Sequence, residues 1–284
     1  MTITASGIYD LTMAQYHGQP ADALSLSSSG AIILAESTPM HLRQAWLTPP
    51  ERKRAADMGT AIHTLALEPL RRHTAIRIID AENYKTKAAQ EAGDEALARG
   101  VTPLLRHVFD DANNAVDAIM NHPEAARFLE GGIAEQSYFA KHPLGIYVKS
   151  RPDLVNGAQI IVDVKSCGSV HPDFIRRRIY DGGWDMQAPF HCDVYRQTTG
   201  SEPTDYLWVC VEQKPPHAVA VYRPTRDTMA AGARKNAAAI ATFAECARTG
   251  VWPGYPTGIT ELGLPDFAHY KLAEEELAEG DDGA

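Results

Sequence analysis

The chain has 284 residues, 44% of them hydrophobic and 22% charged, with a formal net charge of −9. That composition fits an ordinary globular protein of one large domain or two small ones. No apolar run reaches membrane-spanning length. The opening MTITASGIYDLTM also lacks the basic start and apolar core of a secretory leader, so the expected location is the cytoplasm.

Four cysteines (Cys167, Cys192, Cys210, Cys246) are spread without a Cys-x-x-Cys pair, which argues against a zinc ribbon, a redox dithiol or a compact iron–sulfur motif. Buried free thiols are expected instead. The acidic balance disfavours a nucleic-acid partner without excluding one. The last twelve residues, AEEELAEGDDGA (273–284), hold six acids and no base, and read as a disordered tail after a single domain over 1–272. Without them the balance is about −3, and basic clusters stand at Arg52-Lys53-Arg54, Arg71-Arg72 and Arg176-Arg177-Arg178. A local groove can therefore still be positive.

LSLSSSGAIILAESTPMHLRQAWL predicts two short helices, one capped by the serine run and the other starting at Thr38 with Pro39 in its first turn. RAADMGTAIHTLALEP predicts a helix with Gly59, Ile62, His63, Ala66 and Leu67 on one stripe. Helices follow over 86–99, 101–121 and 123–130, stopped by Gly131-Gly132. The period then changes to two. IAEQSYFA, GIYVKSRPDLV and QIIVDVKS predict successive strands, the last two joined at Asn156-Gly157. Helical spacing returns over 172–180 and 184–199. Strands DYLWVCVEQ and HAVAVYR precede a long helix over 226–248, capped by Thr225 and closed by Gly250. This order predicts an α/β (α+β) fold, a mixed central sheet flanked by helices after a helical N-terminal portion.

IIVDVK is the stretch with unusual chemistry. Strand side chains alternate, so Asp163 and Lys165 share one face and Val162 and Val164 the other. A carboxylate inside an apolar run is costly unless something pairs with it. A buried Asp–Lys pair is one answer and a metal site is another. Glu135, Asp153 and Asp163, on three consecutive strands, would repel one another if they converged. Crowded carboxylates either take up protons or bind a cation, and all-oxygen ligands favour Mg²⁺ or Mn²⁺. Lys165 beside such an ion could orient water or offset transition-state charge, which describes a phosphodiesterase site. Register decides whether the acids meet. A two-residue turn pairs 155 with 158 and puts Asp153 and Asp163 on opposite faces; a three-residue connection, 156–158, puts both on one face and commits the metal reading to a bulge or loop there.

RPD, IVDVKS and WDMQAPFHCDVY, with SSSGAIILAESTPMHLRQAW, MGTAIHTLALEP and TGVWPGYP in the same order over roughly 27–256, resemble the exonuclease VIII (RecE-type) branch of the PD-(D/E)XK nuclease superfamily. The resemblance implies a restriction-endonuclease-like core and Mg²⁺-dependent 5′→3′ digestion of linear double-stranded DNA to 5′-phosphorylated products. It also implies a ring-shaped homo-oligomer and a single-strand-annealing recombinase as partner. Within it, Asp153 and Asp163 correspond to metal ligands and Lys165 to the catalytic lysine. His63, in Gly-x-x-x-His, corresponds to a metal-ligating histidine, Glu135 to an acid preceding the hairpin, and Val164 joins the metal set. Gln187 and Tyr195 match a Gln-x₇-Tyr helix that positions nucleic acid and active-site groups. Taken without the resemblance, His63 reads as a hydrogen-bonded core residue and Glu135 as the solvent face of an edge strand. Gln187, His191 and Tyr195 share one helix face at i, i+4 and i+8 and could simply cap a core. Arg176, Arg177 and Arg178 span a helical turn, so only one or two of them can meet phosphate. Trp252 and Tyr255 read as packing for the last helix. An endonuclease, or a Cas4-like or helicase-associated nuclease of the same superfamily without an iron–sulfur cluster, and a catalytically idle DNA- or recombinase-binding module, are the rival expectations.

Overall fold

The structure is a computed structural model that describes residues 2–48, 58–265 and 268–270. Arg52-Lys53-Arg54 and the acidic tail lie outside the described residues. Two units are distinguished, Met1–Trp252 and Pro253–Ala284; the described residues of the second have little regular structure.

In chain order the elements of the first unit are β1 (Gly7–Tyr9), α1 (Met13–His17), β2 (Ser25–Ser27), α2 (Ser28–Glu36), α3 (Pro39–Leu47) and α4 (Met58–Leu67). A 3-10 turn (Pro69–Arg71) leads to α5 (Arg72–Ala75), β3 (Ile76–Ile79), α6 (Lys87–Ala98), β4 (Thr102–Leu105), α7 (Arg106–Asn121) and α8 (Pro123–Leu129). Then come β5 (Ile133–Ala134), β6 (Ser137–His142), β7 (Ile146–Ser150), β8 (Leu154–Val155), β9 (Ile160–Cys167), α9 (Pro172–Asp181), α10 (Trp184–Thr199), β10 (Asp205–Glu212), β11 (Val219–Tyr222) and α11 (Arg226–Thr249).

A five-stranded mixed sheet, β11-β10-β9-β8-β5, forms the centre, with β9 and β10 parallel and joined through α9 and α10. Alternation along β9 divides the core. Val162 and Val164 pack with Ile62 and Leu65 of α4 and with residues of α7 such as Ala112. Ile161 and Cys167, on the other face, pack with α10 and α11. This is the expected helix-flanked fold, with a second, four-stranded sheet, β1-β6-β7-β2, beside it. The strands β1 and β2 of that sheet were not anticipated; each is only three residues long, too short to carry a pattern. Among the described residues no helix is long and apolar enough to cross a membrane.

Four expectations are corrected. The helix expected over 101–121 begins at Arg106, because Thr102–Leu105 pairs in parallel with β3. Pro103 lacks the amide N–H and disfavours helical geometry in the residue before it. The strand expected through IAEQSYFA divides into β5 in one sheet and β6 in the other, so Glu135 sits between strands at φ +57° rather than on one. GIYVKSRPDLV divides likewise into β7 and β8, with Asp153 just before β8. The hairpin connection is longer than the three residues expected: Val155 pairs with Ile161 and Leu154 with Val162. Asn156 closes this loop, its Oδ1 accepting from the amides of Ala158 and Ile160. An odd number of intervening residues preserves the parity, and continuing the register sets Asp153 opposite Asp163.

Candidate active site

Leu154 is the first residue of β8 to pair with β9, which leaves the edge of β9 open at Val164. Side chains take the place of the missing strand. Asp153 Oδ2 accepts the Val164 amide at 2.7 Å, and His63 Nε2 lies 2.6 Å from the Val164 carbonyl. A carbonyl only accepts, so that contact puts the imidazole proton on Nε2 and leaves a lone pair on Nδ1. Nδ1 faces Asp153 Oδ2 at 3.5 Å. Burial lowers the His63 pKa, with Lys165 adding to the effect and Asp163 opposing it, which favours the neutral ring. The core and ligand readings of His63 thus meet in one geometry: one nitrogen is hydrogen-bonded and the other is free.

Glu135 completes the group from the break between β5 and β6. Its amide donates to the Asp153 carbonyl at 3.1 Å, and its Oε2 accepts from Arg151 Nε at 2.7 Å. Arg151 also donates to the Leu11 carbonyl (2.7 Å) and to Ser137 Oγ (2.8 Å). One ligand atom each from His63, Glu135 and Asp153 lies within 4.8 Å of the others.

Asp163 is not a member of that triplet. It is fully buried; its Oδ2 accepts from Lys165 Nζ at 2.6 Å and from Tyr206 Oη at 3.1 Å, while its Oδ1 has no hydrogen-bond partner among the described residues. Lys165 also donates to Gln187 Oε1 at 2.9 Å, and its ammonium lies 5.5 Å from the centroid of the Trp184 ring.

These contacts separate the two carboxyls. Burial, then the neighbouring Asp163 carboxylate, raises the Asp153 pKa well above the usual carboxylate range. Burial acts the same way on Asp163 and is the largest single influence, but Lys165, His191 and the contact with Asp153 together outweigh it and hold the pKa down to about 2. For Lys165 burial works against the charge, and Asp163 and Asp153 together more than compensate, so its pKa is raised. The site is a buried carboxylate–ammonium pair beside a second carboxyl that favours a proton or a cation.

Among the other expected residues, Gln187 reaches the site through Lys165. Tyr195, two turns further along α10, packs into the core with its ring 5.6 Å from that of Tyr138. It forms no hydrogen bond with the carboxylate group among the described residues. Arg176, Arg177 and Arg178 are exposed on α9, Arg176 being paired with Asp173 at 2.6 Å. Trp252 packs against Trp46 and Phe243, whereas Tyr255 is exposed. All four cysteines are free, three buried and Cys192 half-buried. Sequence reasoning missed Arg151, Tyr206 and the setting of His191. His191 is buried, with Nε2 3.4 Å from Ser28 Oγ, Nδ1 unpartnered and a pKa lowered by burial to about 4. Only Arg151 had a signal available, its place two residues before Asp153 in RPD.

Residues 30–262 match the family described as a PDDEXK-like domain of unknown function, DUF3799. The chain belongs to this family. Within the DUF3799 match, Pro152-Asp153 and Asp163-Val164-Lys165 spell the letters of the PDDEXK pattern. No curated protein matches the sequence. Among solved structures, the chain resembles a "Putative exonuclease" from Eubacterium rectale at 13% identity and a TM-score of 0.61, over 92% of this chain and 98% of that one. A "phage related exonuclease" from Haemophilus somnus 129PT matches at 10% identity and a TM-score of 0.31, over 67% of this chain and 95% of that one. At such identity the first likeness speaks for the fold, and the restriction-endonuclease-like architecture is shared.

Proposed function

We propose that this DUF3799 protein is a divalent-metal-dependent nuclease that digests linear double-stranded DNA 5′→3′ by phosphodiester hydrolysis. The observation that carries this reading is the unpartnered Oδ1 of buried Asp163 next to the His63–Glu135–Asp153 triplet. A buried carboxylate oxygen without a partner is costly; a proton on Asp153, whose carboxyl interacts with that of Asp163, relieves it in the absence of metal, and a shared cation relieves both carboxyls at once.

The donors fit Mg²⁺ or Mn²⁺: Asp153, Asp163 and Glu135 offer carboxylate oxygens, Val164 its carbonyl, and His63 its free nitrogen, which suits Mn²⁺ better. When bound, such an ion polarises the phosphoryl oxygen and makes hydroxide available near neutral pH. Lys165, charged and fixed by Asp163 and Gln187, orients the attacking water and offsets the negative charge that builds on the phosphorus oxygens. Tyr206 holds Asp163 in place and the Val164 amide holds Asp153, while His63 is fixed by the Val164 carbonyl. Gln187 positions the lysine; Tyr195, packed on Tyr138, supports the helix that carries Gln187. Exposed arginines of 176–178 meet the DNA backbone. Polarity, the ring-shaped homo-oligomer and the recombinase partner follow from the exonuclease VIII resemblance.

The test uses 5′-phosphorylated linear duplex and covalently closed circles, each with Mg²⁺ or EDTA. Loss of linear DNA alone, only with metal, is the expected result. Asp163→Ala and Lys165→Ala each reduce the rate by about 10²-fold or more, the scale of removing a preorganised charge. Digestion of both topologies makes the protein an endonuclease. Metal-independent behaviour, or no loss of either DNA, overturns the nuclease reading.

A further inference from the structure

A cavity with a volume of about 530 Å³ opens between α5, β3, α6 and α7 and shares no lining residue with the carboxylate site. That volume falls within the range of small-ligand pockets, roughly 300–1,000 Å³. Its wall brings together Arg72, Arg77 and Arg99 with one carboxylate, Glu95, beside Ile76 and Phe109. Three guanidiniums around one acid are notable in a chain of net charge −9.

Glu95 divides itself between two of them. Oε2 accepts from Arg77 Nη1 at 2.7 Å and Oε1 from Arg99 Nη2 at 2.7 Å. A guanidinium has five N–H donors, so each arginine keeps donors for another acceptor. Arg72 has no ion pair among the described residues; its guanidinium carbon lies 4.7 Å from the centroid of the Phe109 ring. A guanidinium beside an aromatic ring offers a cationic π-surface to which a planar heterocycle can add. Forked donors suited to phosphate and an aromatic–guanidinium pair thus line one cavity together with aliphatic side chains.

We infer that this cavity binds a nucleoside phosphate, Arg77 and Arg99 holding the phosphate and Arg72, Phe109 and Ile76 flanking the base. The site goes beyond the nuclease reading and stands without it. The ligand is either a free mononucleotide or a nucleotide within a DNA strand, and the experiment separates the two.

Binding is measured in EDTA, so that no turnover intervenes, by calorimetry with dAMP, inorganic phosphate and deoxyadenosine, and by fluorescence anisotropy with a labelled single-stranded oligonucleotide. The wild-type protein is expected to bind dAMP more tightly than phosphate and not to bind deoxyadenosine. Arg72→Gln and Arg99→Gln each weaken this by about tenfold, the effect of losing one charge-assisted hydrogen bond. Arg99 is exposed at the end of α6, and replacing it leaves the Arg77–Glu95 pair in place, so this variant stays informative if Arg72→Gln melts early. Weakening of the oligonucleotide as well identifies a strand as the ligand; weakening of dAMP alone identifies the free nucleotide. If neither dAMP nor the oligonucleotide binds, or both variants bind them as the wild type does, the arginines form a structural bridge only and the proposal is overturned. Metal-dependent digestion by the wild type is scored separately, so failure of the nuclease reading leaves this result intact.

Discussion

Asp153 and Asp163 carry the same functional group yet titrate in opposite directions, because Lys165 is bonded to only one of them. The signs have consequences for stability. The raised pKa of Asp153 means that the folded chain binds more protons than the unfolded one between the usual carboxylate value and the raised one, so stability falls as pH rises through that window. Asp163, held near 2, contributes stability above the usual carboxylate value that is lost only as pH falls toward 2. Asp153→Asn keeps an oxygen for the Val164 amide while removing the charge. In EDTA near neutral pH the variant should melt about 2–4 °C higher than the native chain, the shift of roughly 1 kcal/mol in a domain of this size. The gain shrinks as the pH is lowered toward about 4, where free carboxyls protonate. Mn²⁺ should reverse the order by stabilising the native chain more. A thermal-shift series over pH, with and without the ion, checks this; a variant that melts lower in EDTA would mean that Asp153 is not under electrostatic stress. At this scale Asp153, Asp163 and Lys165 were legible from alternation and spacing, and His63 from the resemblance. Tyr206 was not, because nothing local distinguishes its hydroxyl from that of any strand tyrosine.

At the scale of elements, the site exists because two consecutive strands leave one sheet and enter another at the same place. Arg151 ties that crossing together, bonding Glu135, the Leu11 carbonyl and Ser137 from a nearly buried position. Arg151→Ala should destabilise the fold by roughly 2–3 kcal/mol, since it leaves buried acceptors and a carboxylate without their donor. Urea unfolding measures it, and a change below about 0.5 kcal/mol, the size of an ordinary surface substitution, would mean that the crossing is held by something else. Behind the site, α10 and α11 approach so closely that a Cβ on Gly232 would lie 1.7 Å from the Asp185 carbonyl oxygen. Gly232→Ala should therefore cost about 1–3 kcal/mol or more by overpacking, although alanine is the better helix former. Circular dichroism melting of this variant gives the sign, and a gain in stability would contradict the close approach. Capping and periodicity made α2, α3, α6, α10 and α11 legible. The strand breaks were obscured for a physical reason: IAEQSYFA has no Gly, Asn or Pro, yet Glu135 adopts the left-handed backbone usually announced by Gly or Asn.

Across the whole molecule, the order of helices, strand meander, helices, strands and helix was enough to place a mixed sheet between helical layers, and the DUF3799 match covers most of that span. What stayed hidden were the short pairings, β1, β2 and the β3–β4 pair, whose strands have too few residues for alternation to show. The hidden segments matter, because β1 and β2 complete the sheet whose inner strands lead directly to Glu135 and Asp153. The proposed activity depends on a divalent ion seated where these elements converge. Anomalous diffraction from crystals soaked in Mn²⁺ tests it most directly. The predicted result is a peak within coordination distance of Asp153 and Asp163 Oδ1, with the His63 Nδ1 lone pair or Glu135 alongside. Clear maps that show the two carboxyls unmoved and no manganese between them would contradict it.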